Sequence, residues 1–121
     1  MAQYEILIDF MQSFEKIKSG KKTVEMRLDN GDIPFLSSIK IGDMISFTNT
    51  ENSYRVPAKV IGICRFESFK TLVEFLGANR CFTNSENPPK DPDAYMELYY
   101  PKDQIEKYEK IGIAIDVSNV A

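Results

Sequence analysis

The sequence predicts an α+β fold, namely a small, mainly antiparallel β-barrel of about five strands with two or three flanking helices. The first observation behind this prediction is the length, because 121 residues make one domain, spanning residues 1–121. The second is the recurrence of short segments in which apolar and polar residues alternate, separated by turns that contain Gly, Pro and Asn. The third is that helical apolar periodicity is confined to two or three short segments.

The composition is that of an ordinary soluble globular protein, with 43% hydrophobic and 27% charged residues. No apolar run approaches the roughly 20 residues that span a bilayer, and the N-terminal sequence MAQYEILIDF has neither a basic start nor a small-residue cleavage site. Cys64 and Cys81 are the only cysteines, and Cys64 lies in an apolar run, as a buried thiol does. We therefore expect a cytoplasmic protein that does not associate with a membrane.

Histidine is absent from the sequence, which excludes a Ser-His-Asp triad, a Cys-His pair and most zinc or iron sites. Any acid–base chemistry would use Lys, Glu, Asp, Tyr or Cys, and we expect neither a metal nor another cofactor. The net charge of −3 argues against strong nonspecific binding to DNA, which depends mostly on neutralising phosphates. The sequence is still compatible with a local basic face formed by Lys16, Lys18, Lys21, Lys22 and Arg27.

The first strand is predicted over residues 4–8, a short apolar run, and a helix follows it. Asp9 is the expected N-cap of this helix, and Gln12 stands three residues later, as in a capping box. Gly20 is expected to end the helix as its C′ residue. The apolar face of the helix would pack onto the barrel through Phe10, Phe14 and Ile17.

Residues 23–28 alternate with a period of two, as a half-buried strand does. We expect the apolar side chains of this strand to face inward and to share one barrel core with a long strand from Arg55; they are Val24, Met26 and Leu28. The polar side chains would then face outward; they are Thr23, Glu25 and Arg27.

A loop over residues 30–38 and a Gly42-Asp43 turn lead to a strand over 44–47, and a polar connection joins it to the long strand over 55–66. Pro57 indicates an edge or a bulge in the long strand, and Gly62 indicates a bend. Two basic and two apolar residues of this strand are all at odd positions and would therefore lie on one face; they are Lys59, Ile61, Ile63 and Arg65. Either the facing of one pair is misassigned or a bulge lies between them.

Ser68 is the predicted cap of a second helix, which Gly77 ends. The segment 81–90 is predicted to be a mobile loop, and its position suggests a flap over a cleft. The remaining elements are a third helix from Asp91 through Leu98, a break at Pro101, a helical turn over 102–108 and a last strand over 111–117.

Four segments of the sequence resemble, in order, the ASCH domain, a relative of the PUA RNA-binding fold. They are SGKKTVEMRL (19–28), IKIGDMISF (39–47), AKVIGICRFESFKTL (58–72) and YMELYYPKDQIEKYEKIGIAI (95–115). The G-x-K-x-x-E-x-R motif of that family is met by Gly20, Lys22, Glu25 and Arg27. The resemblance implies a PUA-like barrel in which this motif lines a cleft between the barrel and its helices.

The resemblance also implies binding of RNA or nucleotides, and some family members are similar to N4-acetylcytidine amidohydrolases or to ribonucleases. The amidohydrolase type uses a Lys, a Thr and a Glu. The Lys matches Lys22, but the Thr position falls on Glu25, so this chain departs from that pattern. For the family's Glu, Glu67 and Glu74 are the nearby carboxylates after the long strand, and the motif alone does not choose between them.

The candidate catalytic residues are therefore Lys22 and Glu25, and the candidate ligand-binding residues are Lys21, Lys22, Thr23, Glu25, Arg27, Tyr99 and Tyr100. Arg27 offers a planar fork to a phosphate or carboxylate, and Lys22 could activate water if it is partly desolvated. The tyrosines, with Tyr95, could stack on a base, although tyrosines at this spacing also serve as half-buried packing residues. A plain surface ion pair between Glu25 and Arg27 is the structural alternative.

Two functional classes follow from these observations. The first is a module that binds RNA or a nucleotide without chemistry. The second is a small hydrolase acting on a modified nucleoside or RNA, which would need Lys22 and a carboxylate within hydrogen-bond reach of one bound water. The short, mildly acidic chain favours a small ligand over a long RNA.

Overall fold

The computed structural model describes residues 2–9, 11–83 and 86–117, where the chain forms five strands and five short helices. The strands are β1 (Gln3–Ile8), β2 (Val24–Leu28), β3 (Met44–Asn49), β4 (Arg55–Phe66) and β5 (Lys110–Asp116). The helices are α1 (Met11–Lys18), α2 (Phe69–Leu76), α3 (Ala78–Cys81), α4 (Pro92–Met96) and α5 (Lys102–Lys107), and a 3-10 turn covers Pro34–Ser37. No helix in the described ranges is long and apolar enough to cross a membrane.

The strands form one curled sheet in the order β1-β3-β4-β5-β2. β1 runs parallel to β3, and the other neighbouring pairs are antiparallel. The sheet is a half-barrel, because its edge strands β1 and β2 do not pair with each other within the described residues. The predicted α+β class with five strands is confirmed, and the helical part is divided into more and shorter segments than predicted.

A bulge in β4 resolves the parity conflict seen in the sequence. The register between β4 and β5 shifts between Val60 and Gly62, and beyond the shift Ile63 pairs with Ile113 and Arg65 with Ile111. Odd-numbered residues therefore face one side of the sheet before the bulge and the other side after it.

Pro57 lies in the part of β4 that pairs with β3 alone, since pairing with β5 begins at Lys59. A residue without an N–H fits a stretch that has a neighbouring strand on one side only. The predicted edge position of this proline is therefore confirmed locally, although β4 as a whole is the central strand of the sheet.

Two hydrophobic clusters stabilise the fold, one on each face of the sheet. The inner core takes Phe14 and Ile17 from α1 and residues such as Phe47, Val60 and Ile113 from the strands. The outer core joins β2 to α2, α3, α4 and α5 through residues that include Val24, Met26, Phe69, Leu72 and Ile105. The packing of α1 agrees with the prediction for Phe14 and Ile17, while Phe10 lies outside the described residues.

The prediction for the two faces of β2 was wrong. Glu25 pairs with Ile113 and Arg27 with Ile111, which are residues of the inner core, so the polar face of β2 points inward. Its apolar face instead packs on the helices and does not share the core of the first half of β4. Both faces of β2 are covered, and a period of two defines two faces without saying which layer covers each.

A small residue permits the close approach of α2 to the outer face. A Cβ on Gly112 would lie 2.8 Å from Leu76 Cδ1 and 3.4 Å from both Leu72 methyl groups. Glycine at this position of β5 therefore leaves room for α2. The helix then packs close to Met26, the residue of β2 that pairs with Gly112.

Several predicted helix ends are confirmed. Gly20 has a φ of 78° and its N–H donates to the Ile17 carbonyl, as a C′ glycine does. The Ser68 side chain accepts from the Thr71 N–H at the start of α2, and Gly77 ends that helix. The Asp91 side chain likewise accepts from the Ala94 N–H at the start of α4.

The loop predicted over 81–90 begins later than expected. Cys81 is the last residue of α3, and both Cys81 and Phe82 are buried in the outer core. Residues 84 and 85 lie outside the described residues, so the idea of a flap over a cleft stays a prediction for the segment that follows Phe82.

Candidate ligand-binding site

A cavity of about 330 Å³ opens between the two edge strands of the half-barrel. Its walls come from the end of β1, the first turn of α1, β2 with the residue Lys22 before it, the segment 81–83, and α4 with the turn that follows it. The cavity lies where the sheet is not closed, so side chains from both edges reach it. Of the candidates from the sequence, it brings together Lys22, Glu25, Arg27, Tyr99 and Tyr100.

Glu25 is the centre of the polar side of the cavity. Its Oε1 accepts a hydrogen bond of 3.1 Å from Arg27 Nε, and its Oε2 lies 3.7 Å from Lys22 Nζ. Lys22 Nζ also donates to the Ser13 hydroxyl in α1 at 3.4 Å. A single carboxylate on the inner face of β2 therefore holds two cations at the cavity.

Burial distinguishes this cluster from a surface ion pair. The Glu25 side chain is 5% exposed, against 12% for Lys22 and 22% for Arg27. Burial by itself would raise the pKa of Glu25, but the charges of Lys22 and Arg27 and the hydrogen bond from Arg27 outweigh it and lower the pKa below its usual value. The carboxylate is therefore held in its ionised, acceptor-only form.

Arg27 is held in place by neighbours on both sides. Burial would lower the pKa of Arg27, but Glu25 and the Tyr100 hydroxyl raise it overall, so the guanidinium keeps its charge. The Tyr100 hydroxyl also accepts a hydrogen bond of 3.3 Å from the backbone N–H of Leu28. Tyr100 thus connects the turn after α4 to the end of β2.

Aromatic side chains also line the cavity. Phe82 and Tyr95 pack edge to face, with ring centroids 5.4 Å apart, and the rings of Tyr95 and Tyr99 follow at 5.9 Å. Tyr99 is 47% exposed and lies at the rim. Burial and the hydrogen bond with Tyr95 raise the pKa of Tyr99 to about 12, so its hydroxyl stays protonated at neutral pH.

Two of the predicted ligand-binding residues do not line this cavity. Lys21 follows Gly20 in the turn after α1, and its side chain is exposed. Thr23 uses its hydroxyl to accept a 2.9 Å hydrogen bond from Arg80 Nε. Neither Glu67 nor Glu74 lines it either, and both are exposed.

The sequence analysis missed the contribution of Asp9 and the first turn of α1, and that of the segment 81–83. Asp9, Gln12 and Ser13 line the cavity beside Lys22, and Cys81, Phe82 and Thr83 line it beside Tyr95. Ser13 lies one helical turn before the buried Ile17, so the apolar pattern of α1 gave no signal for a polar cavity residue there. Burial raises the pKa of Cys81 to about 11, so this thiol stays protonated and is a poor nucleophile.

The chemistry available at the cavity is hydrogen bonding and charge recognition. It offers cationic donors from Lys22 and Arg27, an ionised acceptor in Glu25 and aromatic surfaces. Within the described ranges, no group of three or more Cys, Asp or Glu residues is placed to hold a metal ion.

No protein-family model matches the sequence, and no curated protein matches it. Solved structures are similar to the chain over nearly its whole length. The crystal structure of the hypothetical protein PH0355 is 28% identical in sequence and has a TM-score of 0.74. The match covers 94% of this chain and 97% of that one. The NMR structure of the protein PF0455 from Pyrococcus furiosus is 24% identical, with a TM-score of 0.70 and coverage of 98% of this chain and 99% of that one.

A crystal structure of a variant of ZmASCH from Zymomonas mobilis has a TM-score of 0.60 at 18% identity. The match covers 93% of this chain and 67% of the ZmASCH chain. At 18% identity the similarity is evidence for a shared fold. The four sequence segments that resemble the ASCH domain imply the same fold. The curled five-stranded sheet with its flanking helices is therefore an ASCH-domain fold.

Proposed function

We propose that this protein binds a nucleoside or nucleotide, free or as one unit of an RNA strand, in the cavity between β1 and β2. The observation that carries the proposal is that a buried Lys22–Glu25–Arg27 cluster and several aromatic side chains line the same cavity. Polar groups at fixed positions beside an apolar, aromatic surface are the usual composition of a small-molecule site. The similarity in fold to ZmASCH and the implied PUA relationship are consistent with an RNA-derived ligand.

The size and charge of the site favour a single nucleoside-sized unit. A cavity of about 330 Å³ lies at the lower end of the range for ligand pockets, about 300–1,000 Å³. The whole chain has a net charge of −3, so it lacks the basic surface that binds many phosphates at once.

The side chains suit different parts of such a ligand. The rings of Tyr95 and Tyr99 offer faces on which a base can stack. The guanidinium of Arg27 has N–H groups beyond the Nε bonded to Glu25 and suits a phosphate or carbonyl oxygen. Lys22, which is held by a 3.4 Å hydrogen bond to Ser13 and a 3.7 Å ion pair with Glu25, supplies a cation on a flexible stem.

A second candidate function is hydrolysis of an N4-acylated cytidine or of RNA. It is favoured by the 3.7 Å separation of Lys22 Nζ and Glu25 Oε2, which brings a cation and a carboxylate together beside the cavity. Glu25 occupies the position of the family's Thr, however, and its lowered pKa makes it a weak base. We therefore place binding first.

The proposal is tested by titrating the protein with the four ribonucleosides, their 5′-monophosphates and short single-stranded RNAs, followed by NMR and calorimetry. We expect Lys22→Ala and Arg27→Ala to weaken binding about tenfold or more, the value of one charged hydrogen bond. Lys21→Ala is the matched control, since Lys21 is adjacent in sequence but exposed outside the cavity. If wild type binds none of these ligands, the cluster is a structural ion pair and the proposal fails.

Hydrolysis is tested separately by a chromatographic assay for cytidine released from N4-acetylcytidine. A hydrolase would lose turnover in Lys22→Ala far more than it loses affinity, and Glu25→Thr, which restores the family pattern, would keep or raise the activity. If wild type binds the compound without releasing cytidine, the binding function stands and hydrolysis of this substrate is excluded.

A further inference from the structure

One oxygen of the Glu25 carboxylate has no hydrogen-bond partner. Over residues 2–9, 11–83 and 86–117, Glu25 Oε2 is the one buried side-chain nitrogen or oxygen in this condition. The ammonium of Lys22 faces it at 3.7 Å, which exceeds the range of about 2.7–3.2 Å for N–H···O hydrogen bonds. Because buried carboxylate oxygens normally accept hydrogen bonds, this oxygen requires an explanation.

We propose that Glu25 Oε2 accepts a hydrogen bond from an N–H of an unpaired nucleobase whose Watson–Crick edge enters between Lys22 and Glu25. The inference rests on the proposed function and specifies which part of the ligand this cluster reads. The base N–H donates to Oε2, and the neighbouring carbonyl or ring nitrogen of the base accepts from Lys22 Nζ. One long ion pair is thereby replaced by two charge-assisted hydrogen bonds.

The donor and acceptor pattern of the site selects this kind of ligand. An ionised carboxylate only accepts hydrogen bonds, and the lowered pKa of Glu25 keeps it ionised at neutral pH. At Oε2 itself, a phosphate or carboxylate has no N–H to offer and would be repelled by the carboxylate charge. The edges of nucleobases place a donor next to an acceptor, which matches Glu25 Oε2 next to Lys22 Nζ.

The entry of the base edge requires Lys22 to move. Glu25 is 4% exposed and its Oε2 is buried beneath the cluster. Glu25 itself is fixed on β2 by the 3.1 Å hydrogen bond from Arg27 Nε. Lys22 is held less tightly, by a 3.4 Å hydrogen bond to Ser13 and a 3.7 Å ion pair, so its stem can swing aside at small cost.

A consequence is selectivity for unpaired bases. The Watson–Crick edge is occupied in a duplex, whereas in a free nucleoside or a single strand it is accessible. The site is therefore expected to bind single-stranded RNA or nucleosides and to reject the same sequence in a stable duplex.

The test compares ligands that differ in one N–H, using wild-type protein. Uridine is compared with 3-methyluridine, and guanosine with 1-methylguanosine, by NMR or calorimetric titration; 2′-deoxy counterparts test whether a ribose hydroxyl is the donor instead. We expect methylation of the base to weaken binding about tenfold or more, and removal of the 2′-hydroxyl to change it much less. The Glu25 carboxyl ¹³C signal should shift with the unmethylated ligands and not with the methylated ones.

Glu25→Gln separates a hydrogen bond from a steric effect, because it keeps the shape of the side chain. Its amide oxygen stays with the Arg27 Nε donor, so an NH2 group that donates replaces the acceptor Oε2. The ratio between unmethylated and methylated ligands should fall toward one in this variant and stay unchanged in the exposed control Glu15→Gln. If Glu25→Gln does not fold, the wild-type ¹³C signal decides the question.

The outcomes separate the two proposals. Equal affinity of wild type for methylated and unmethylated ligands overturns the inference and leaves nucleoside binding intact. A ratio that persists in Glu25→Gln, or a loss of affinity in the 2′-deoxy ligands instead, also overturns it. If wild type binds no nucleoside at all, the proposed function fails and the inference fails with it.

Discussion

At the scale of the residue, Glu25 is the most informative side chain of the protein. It is a buried carboxylate on the inner face of β2, held between the ammonium of Lys22 and the guanidinium of Arg27. A buried charge is costly unless it is paired. The lowered pKa of Glu25 shows that here the two cations outweigh the cost of burial, so the ionised form stabilises the folded state.

The lowered pKa predicts how this stabilisation depends on pH. Because the folded-state pKa of Glu25 lies below its usual value of 4.5, the stabilisation is complete above about pH 4.5 and is lost as the pH falls through the folded-state pKa. Glu25→Gln should therefore reduce the free energy of unfolding by about 3 kcal/mol at pH 7, as when a buried pair is broken, and by less at pH 3, where part of this stabilisation has been lost. Urea denaturation at both pH values, with Glu15→Gln as control, measures this. A loss independent of pH would contradict a role for the charge.

The side chain of Arg27 predicts a difference between two cations. Arg27→Lys keeps the charge but removes the planar group that binds Glu25 through Nε and leaves further N–H donors for a ligand. We expect nucleotide affinity to fall about tenfold, while Arg55→Lys, at a site 67% exposed on the side chain, has no effect. Calorimetric titration checks this. Equal affinity of the Arg27→Lys variant would mean that only charge matters at this position.

At the scale of the element, the helix that forms one wall of the cavity is tied to α2 by a carboxylate. The Asp93 side chain in α4 accepts from the backbone N–H of Phe69 at 2.8 Å and from that of Lys70 at 3.1 Å. These are donors of the first turn of α2, which also has its local cap Ser68. One carboxylate of α4 thus completes the capping of another helix and sets the position of Tyr95.

This contact predicts that Asp93 matters more than a local cap. Asp93→Ala should lower the free energy of unfolding by about 2 kcal/mol, because two charge-assisted hydrogen bonds are lost. Asp91→Ala, which removes only the local cap of α4, should cost about 1 kcal/mol. Thermal and urea denaturation of both variants provides the measurement. If Asp93→Ala costs no more than Asp91→Ala, the link between α4 and α2 does not contribute to stability.

At the scale of the whole molecule, one sheet separates two cores and leaves a cavity at its open side. α1 covers the inner face, and α2 to α5 cover the outer face. β2 contributes to both layers, since its polar side chains border the cavity and its apolar side chains enter the outer core. The cavity therefore depends on both layers being in place.

Sharing of β2 and β5 by the two layers predicts that the chain unfolds as one unit. Phe14→Ala in the inner core and Leu72→Ala in the outer core should each cost about 3–5 kcal/mol and should shift one common transition. Leu98→Ala, at a position 74% exposed, should change stability by less than about 0.5 kcal/mol. Urea unfolding followed by circular dichroism and tyrosine fluorescence tests this. Two separate transitions would show that the layers are independent.

Much of the local structure could be predicted from the sequence, because it depends on neighbouring residues. The alternation over residues 23–28 identified β2, and the cap residues Ser68 and Asp91 identified the starts of α2 and α4. Gly20 marked the end of α1 through its freedom to adopt positive φ. The motif also indicated three of the side chains that meet at the cavity, since Lys22, Glu25 and Arg27 are close together in the chain.

Only the tertiary structure decided which face of β2 lies inside and which other residues line the cavity with the motif. A period of two is the same whichever layer covers each face, so the inward direction of Glu25 follows from its pairing with Ile113 of β5. Ser13 and Phe82 reach the cavity because β1 and β2 are the two edges of a curled sheet, a fact of topology and not of local pattern. The sequence by itself determined the strands, the helices and the motif. The tertiary structure buried the charged side chains of the motif, because helices pack on both faces of the sheet and exclude water from them.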